Sequence, residues 1–467
     1  MQKYNLPGPK SKALIERTLL YIGKAQYAGL YGICIDKGKG SIIEDVDSNQ
    51  YIDLLASGSV ANLGYNNQKL IKAMTEQAEK IQHTMFIYSP NEVAAKYAKA
   101  ITETFPKREN GEKIKVMFGT SGSDANDGAI KCARRFTGRK KIISFINGWH
   151  GSTGLSHQAN GFAGVKEGLF FPENEFVQVP FPYNQETAQQ AIDIIKKELA
   201  GGDVAGIIVE CVQGDGGNKM PYPGALEEIA KLVQEKSALF IVDEIQSGNG
   251  RSGKHWEIEH FNIKPDIITS AKGITGGYFP LSICMGREEI IESLGKVQFV
   301  FTYTANPIGC AVALQTLQII NNEKFLEQVN DISKIYKDGL TSLVRQYEIV
   351  KEVRGLGLHL GMEVRDGANP YGGLLGFLCA QRGVYPGYFG ANNEVLRIHP
   401  PLIISVEEAK KSIEIIAECL DIIQYGEVDS NTLANYRKYA IGLGNNGDAE
   451  RISSMFFKPN PPPLFVL

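Results

Sequence analysis

The sequence predicts an α/β protein with a large domain built on a mostly parallel sheet and a smaller α/β domain. Two observations carry that prediction. Between Lys113 and Met285, short runs rich in β-branched and aromatic residues alternate with helix-period stretches, the pattern of strands joined by helical crossovers. Glycine-rich turns follow several of these runs, where α/β sheets bind ligands beyond the carboxyl ends of their strands.

The elements follow in order. Residues 1–60 hold a helix from Ser11 to Gly23 and short strands around Tyr31 to Asp36 and Ile42 to Asp45; this segment is expected to contribute to the small domain. A helix near Gln68 to Gln82 leads into the large domain, residues 61–330. Its strands are expected at Lys115–Phe118, Lys141–Phe145, Gly206–Val212, Ala238–Val242, Asp266–Thr269 and Leu281–Met285. A long helical segment, Ile308 to Tyr347, leads into a C-terminal small domain over residues 331–426. Residues 427–467, which carry Lys-Pro-Asn-Pro-Pro-Pro-Leu near the end, read as an extended tail packed on the surface or on a partner subunit.

Composition narrows the function. A chain of 467 residues with net charge −3 and pI about 6.2 carries no basic footprint, so nucleic acid is not an expected partner. Its seven cysteines form no C-x-x-C pair and no zinc-like spacing, which points to a reducing cytoplasm and no metal. The N-terminus lacks an apolar signal core and no apolar run reaches membrane-spanning length, so no membrane partner is expected.

The chemistry centres on two strand ends. Lys272 closes the run Asp-Ile-Ile-Thr-Ser-Ala-Lys, and Asp243 closes Ala-Leu-Phe-Ile-Val-Asp. A lysine delivered by one buried strand and an acid by another suit pyridoxal phosphate: the lysine forms the Schiff base, and the carboxylate holds the pyridine nitrogen protonated. Thr120-Ser-Gly-Ser123, between a strand and an amphipathic helix, offers N–H groups and hydroxyls to a phosphate. A plain N-cap explains the same residues, and their position after a strand of the same sheet favours the phosphate. Trp149 could stack on a planar ring or belong to the core; stacking is favoured, and His150 carries no catalytic assignment. Glu210 to Asp215 ends another strand beside glycine turns. Gly248 to Lys254 matches P-loop spacing, but His255 stands where Ser or Thr would hold magnesium. Gly355 to Gly361 has glycines spaced like a dinucleotide loop, with no helix opening after them.

Ser-Gly-Ser-Asp-Ala-Asn, Trp-His-Gly, Gln-Gly-Asp-Gly-Gly, Asp-Glu-Ile-Gln-Ser-Gly-Asn-Gly-Arg-Ser-Gly-Lys, Ser-Ala-Lys-Gly, Phe-Thr-Tyr-Thr-Ala-Asn-Pro and Leu-Arg-Ile-His-Pro-Pro-Leu occur in that order. Together, from about Gly8 to Gly426, they resemble the class III aminotransferases, a family of fold-type I pyridoxal phosphate enzymes. The resemblance implies a homodimer, or a dimer of dimers, with active sites shared between subunits. It places Gly122 and Ser123 on the cofactor phosphate, with Thr302 reaching it from the partner chain. Trp149 and Ile245 would sandwich the ring, Asp243 would bind its nitrogen, Gln246 its phenolic oxygen side, and Lys272 would attach it covalently. Arg397 matches the arginine that holds a substrate α-carboxylate.

Two departures set the functional expectation. Most aminotransferases of this family have Glu where this chain has Asp124 and Asp215, and the aspartates resemble its isoleucine 2-epimerase and amino-acid racemase branch. In relatives acting on ω-amino groups, the glutamate at position 215 gates the arginine at 397; one methylene fewer withdraws the carboxylate by about 1.5 Å. The expected activity is therefore inversion of the α-carbon of a free, apolar, branched-chain-like amino acid, with Lys272 and Asp215 as the two proton-handling groups. The alternative is an aminotransferase passing the amino group to a 2-oxo acid, with Lys272 alone moving the proton. A non-catalytic cofactor-binding protein would not need Lys272, Asp243 and Arg397 together. Tyr31, Tyr65, Trp149 and Phe301 are candidates to line an apolar substrate pocket.

Overall fold

In the computed structural model, residues 3–439 are described, except 110, 163, 170, 173, 368 and 427. The described chain divides into two units: residues 3–58, 64–66 and 329–439 form one, and residues 59–63 and 67–328 the other. The first unit opens with the helix Pro9–Tyr21, which starts on proline, where a missing N–H costs nothing. Asp47 accepts the N–H groups of Lys10 and Ser11, each at 2.8 Å, and so caps this helix from a distant loop. Strands β1 (Ile35–Lys39), β2 (Ile42–Asp45) and β3 (Gln50–Leu54) then form an antiparallel meander.

The second unit is built on a seven-stranded sheet. Its strands are β4 (Ile114–Gly119), β5 (Lys141–Phe145), β6 (Phe176–Val179), β7 (Val204–Val209), β8 (Leu239–Asp243), β9 (Ile267–Ser270) and β10 (Ser282–Arg287). They lie in the order β4, β10, β9, β8, β7, β5, β6. Pairing is parallel from β9 to β6, and β10 runs antiparallel to both its neighbours. The mostly parallel sheet read from the sequence is therefore present. Successive side chains feed opposite faces: Ile143, Ile207, Phe240 and Ile268 join one apolar cluster, while Ile142, Ile208, Ile241 and Ile267 join another. A sheet covered on both faces needs apolar residues at every position, and all six residues of β7 are buried.

The chain then returns to the first unit with β11 (Val350–Leu356), β12 (His359–Asp366), β13 (Asn369–Pro370), β14 (Val384–Phe389) and β15 (Val395–Ile398). β14 pairs in parallel with β3, giving an eight-stranded sheet. β11 and β12 form a hairpin around Gly357, which has φ 56°, so Gly355 to Gly361 does not open a helix.

Several boundaries differ from the sequence reading. The segment Ile308–Tyr347 is two helices, Pro307–Ile320 and Glu323–Gln346. The break falls at Asn321 and Asn322, and the Asn322 side chain accepts the Lys324 N–H at 3.0 Å, an Asn doing better as a cap than inside a helix. The strand expected at Tyr31 begins only at Ile35, because Tyr31 and Gly32 turn with positive φ. β6 was not anticipated. Ser430–Tyr439 is helical, with Thr432 and Tyr436 buried, where extended chain was expected; residues 440–467 lie outside the described residues. Among the described residues, no helix is long and apolar enough to cross a membrane.

Candidate active site

Residues beyond the carboxyl ends of β4, β5, β7, β8 and β9 line a cavity of about 360 Å³ in the second unit. Five strand ends thus deliver side chains to one place, as α/β sheets do. Gly122, Ser123, Trp149, Asp215, Asp243, Ile245, Gln246 and Lys272 all lie on its wall.

β4 runs into Ser121, the N-cap of the helix Gly122–Thr137. Asp124 completes a capping box and accepts from Thr120 N (2.9 Å), Thr120 Oγ1 (2.8 Å) and Ser282 Oγ (2.7 Å). Its carboxylate is thus committed to shaping the loop, and the helix start presents Gly122 and Ser123 to the cavity. A Cβ on Gly122 would sit 2.8 Å from Ile245 Cδ1, so only glycine lets this backbone approach so closely.

Asp243, at the end of β8, is buried, and three donors fix it. Asn126 Nδ2 and His150 Nδ1 each donate to Oδ2 at 2.8 Å, and Ile245 N donates to Oδ1 at 3.0 Å. Asn126 is itself held by Thr269 Oγ1, which donates to its Oδ1 at 2.6 Å. The carboxylate thus has all its protein contacts as an acceptor, and its orientation is fixed.

Lys272 has φ 45°, a left-handed conformation that costs a non-glycine residue roughly 1–2 kcal/mol. The surrounding turn holds it there. Asn249 Nδ2 donates to Ser270 Oγ at 2.9 Å, Ile274 N donates to Ala271 O at 3.0 Å, and Gly273 packs so tightly on Asn62 that a Cβ would lie 2.4 Å from Nδ2. Strain over-determined by its surroundings marks functional positions.

Trp149 is half-buried, sits edge-on to Phe162 (6.1 Å, 65°), and donates its backbone N–H to Glu210 Oε1 at 3.0 Å. Glu210 Oε2 accepts Gly214 N at 3.1 Å, and burial pushes the Glu210 carboxyl up to about 7, with Asp243 and Asp215 adding to the rise and His150 opposing it. Gln246 Nε2 donates to Asp215 Oδ1 at 3.4 Å, and Gln246 Oε1 is buried with no protein partner. Asn126, His150 and Glu210 are the residues that sequence reasoning left without a role. Their one signal was position: each is polar and flanks a motif that ends a buried strand or opens its helix.

Other candidates lie elsewhere. Thr302 is exposed and does not line this cavity. Arg397 is in the first unit, on β15, 1% exposed, with its guanidinium 3.3 Å from the Phe389 ring centroid. Tyr31 is a core residue of that unit, 0% exposed, its hydroxyl donating to Pro386 O; it is not among the residues lining this cavity. Tyr65 donates to Asp53 Oδ2 at 2.8 Å, and Phe301 packs edge-on against Phe299. After the P-loop-like Gly248 to Lys254 comes only the short turn Glu257–His260, and Lys254 Nζ donates to Glu259 O, so no nucleotide cradle forms. Among the described residues, no group of His, Cys, Asp and Glu could hold a metal ion.

The cavity fits pyridoxal phosphate. A helix start with close backbone approach suits the phosphate, the Trp149 and Ile245 side chains offer apolar walls, Asp243 is a buried carboxylate fixed by three donors, and Gln246 Oε1 is a buried polar atom lacking a partner. Fold and site together define a fold-type I pyridoxal phosphate enzyme. The Aminotransferase class-III model matches residues 23–420, and the chain belongs to that family. It is 34% identical to an alanine/serine racemase of Pyrococcus horikoshii, over 91% of this chain and 93% of the relative. It is 31% identical to an isoleucine 2-epimerase of Lentilactobacillus buchneri (90% and 96%) and to an acetylornithine aminotransferase of Methanothermobacter thermautotrophicus (83% and 94%). An omega transaminase structure from Pseudomonas jessenii in complex with PMP superposes with TM-score 0.79 at 27% identity, covering 87% of this chain and 97% of that one. Pyridoxal phosphate is the cofactor.

Proposed function

We propose that this enzyme inverts the α-carbon of a free, apolar amino acid through two proton-handling groups, Lys272 and Asp215. The observation that carries the reading is that an aspartate, not a longer glutamate, stands at 215 on the same cavity wall as Lys272, with Gln246 donating to it. Relatives named as a racemase and an epimerase support it. Bound pyridoxal phosphate supplies an electron sink that acidifies the Cα–H bond. The helix start at Gly122 and Ser123 would hold its phosphate, Trp149 and Ile245 would flank its ring, Gln246 would take its phenolic side, and Asp243 would accept from its ring nitrogen. The family resemblance assigns the substrate carboxylate to Arg397, whose guanidinium would take it in a bidentate fork. Lys272 Nζ removes the Cα proton from one face, and Asp215 returns a proton to the other; in the reverse direction the two exchange roles, so protons balance.

The second reading is an aminotransferase, favoured by the match to an acetylornithine aminotransferase. Holoenzyme incubated with single enantiomers decides between them. Inversion without a 2-oxo acid supports the racemase, and strict dependence on that acceptor refutes it.

The same reading makes the protein a cytoplasmic homodimer. Its seven cysteines are free thiols, and Thr302, exposed on its own chain, would complete the partner's phosphate site. Light scattering tests the dimer, with a monomeric active holoenzyme as the contrary result.

A further inference from the structure

We propose that Glu210 is a positioning residue that ties the Trp149 wall and the Asp215 turn together through one carboxylate. It follows the last residue of β7 and is 7% exposed. One oxygen accepts the N–H of Trp149 at 3.0 Å, from the segment after β5; the other accepts the N–H of Gly214 at 3.1 Å, the residue before Asp215. Only an ionised carboxylate offers a full acceptor to each of two N–H groups. Both side chains crowd the Gly214 backbone: a Cβ there would lie 2.0 Å from Gln246 Oε1 and 3.3 Å from Glu210 Oε2. Gln246 in turn donates to Asp215. A single side chain therefore sets the spacing between a ring wall and the group assigned above to handle a proton, and the inference rests on that assignment.

The charged and titratable groups around Glu210 are His150 after β5, Asp243 on β8, and Asp215 and Cys211 after β7, with Lys272 on the same cavity. Burial among them pushes Glu210 up to about 7. Below that pH its protonated oxygen is a weak acceptor and one N–H is poorly held; above it both are held. The clamp therefore tightens as pH rises through neutrality.

The test uses holoenzyme of the wild type, Glu210→Gln and Glu210→Asp. Tryptophan emission between pH 6 and 8.5 reports the clamp as the difference between wild type and Glu210→Gln, because the chain has two tryptophans and Trp256 precedes Glu257, whose carboxyl burial also pushes into this window, up to about 8. The wild type should titrate with a midpoint near 7. Glu210→Gln should lose that transition, keep its cofactor, change the visible circular dichroism of the bound cofactor, and invert substrate about a hundredfold more slowly, the scale of an ångström misplacement at a reacting site. Glu210→Asp should keep a titration with altered dichroism, because it reaches only one of the two donors. Identical transitions in wild type and Glu210→Gln, or a flat wild type, overturn the proposal, the latter without need of any variant that folds. If instead the wild type never inverts without a 2-oxo acid, the racemase reading fails while the emission result still decides the clamp.

Discussion

Asp243→Asn is the most informative single substitution in the cofactor site. The carboxylate takes two donors on Oδ2 and one on Oδ1, and its side chain is 3% exposed. Asparagine has one acceptor. If its oxygen keeps Asn126 and His150, its amide faces the Ile245 N–H, donor against donor. One lost bond to a charged group (about 1.5–3 kcal/mol) plus an unsatisfied buried donor (about 1–3 kcal/mol) gives a stability loss of roughly 2.5–6 kcal/mol. The catalytic loss is separate: without the anion, the pyridine nitrogen is no longer held protonated, and turnover should fall at least about a hundredfold. Urea midpoints measure the first effect. Turnover by chiral chromatography, beside cofactor content per chain, measures the second. Near-normal turnover with full cofactor would mean that the carboxylate, His150 and Asn126 form only a structural knot.

Three further outcomes follow from the same geometry. Borohydride reduction and peptide mapping should place the cofactor on Lys272, and Lys272→Ala should abolish both the label and Cα exchange; label on another lysine contradicts the site. Arg397→Lys should raise the substrate concentration for half-saturation far more than it weakens cofactor binding, because a lysine cannot copy the stacked, bidentate guanidinium; the reverse pattern places Arg397 outside substrate recognition. Glu244 and Glu257 are both 0% exposed and face each other, Glu244 accepting from Ile258 N and Ser247 Oγ and Glu257 from Val212 N. Burial, and for Glu244 the neighbouring carboxyl, raises both. The folded state then holds protons that the unfolded chain releases, so stability should fall as pH rises from the ordinary carboxylate range toward about 8. Glu257→Gln should flatten that fall in urea midpoints, and an unchanged slope would show the pair is not its source.

The strand ends were the legible part of this protein. Lys272 and Asp243 stood out because each closes an apolar run, and a covered sheet makes such runs continuous. His150 and Asn126 were not legible as partners of Asp243, since they lie 93 and 117 residues away in sequence and meet it only when β5, β8 and the helix after β4 pack. Glu210 looked like one more acid beside a glycine turn; its role comes from two backbone donors that no local pattern announces. Likewise, β10 reads like its parallel neighbours, because direction leaves no mark on a strand buried on both faces. The Asn321–Asn322 break was hidden inside a continuous helical period, where two asparagines act as caps rather than as interior residues.

The central claim, that Asp215 handles a proton, is tested most directly by following one enantiomer in deuterated water with Asp215→Asn holoenzyme and no 2-oxo acid. The account predicts that the Cα proton still exchanges with retention through Lys272, while inversion falls about a hundredfold to ten-thousandfold, the usual loss for a positioned acid or base. Inversion at the wild-type rate in Asp215→Asn would contradict it.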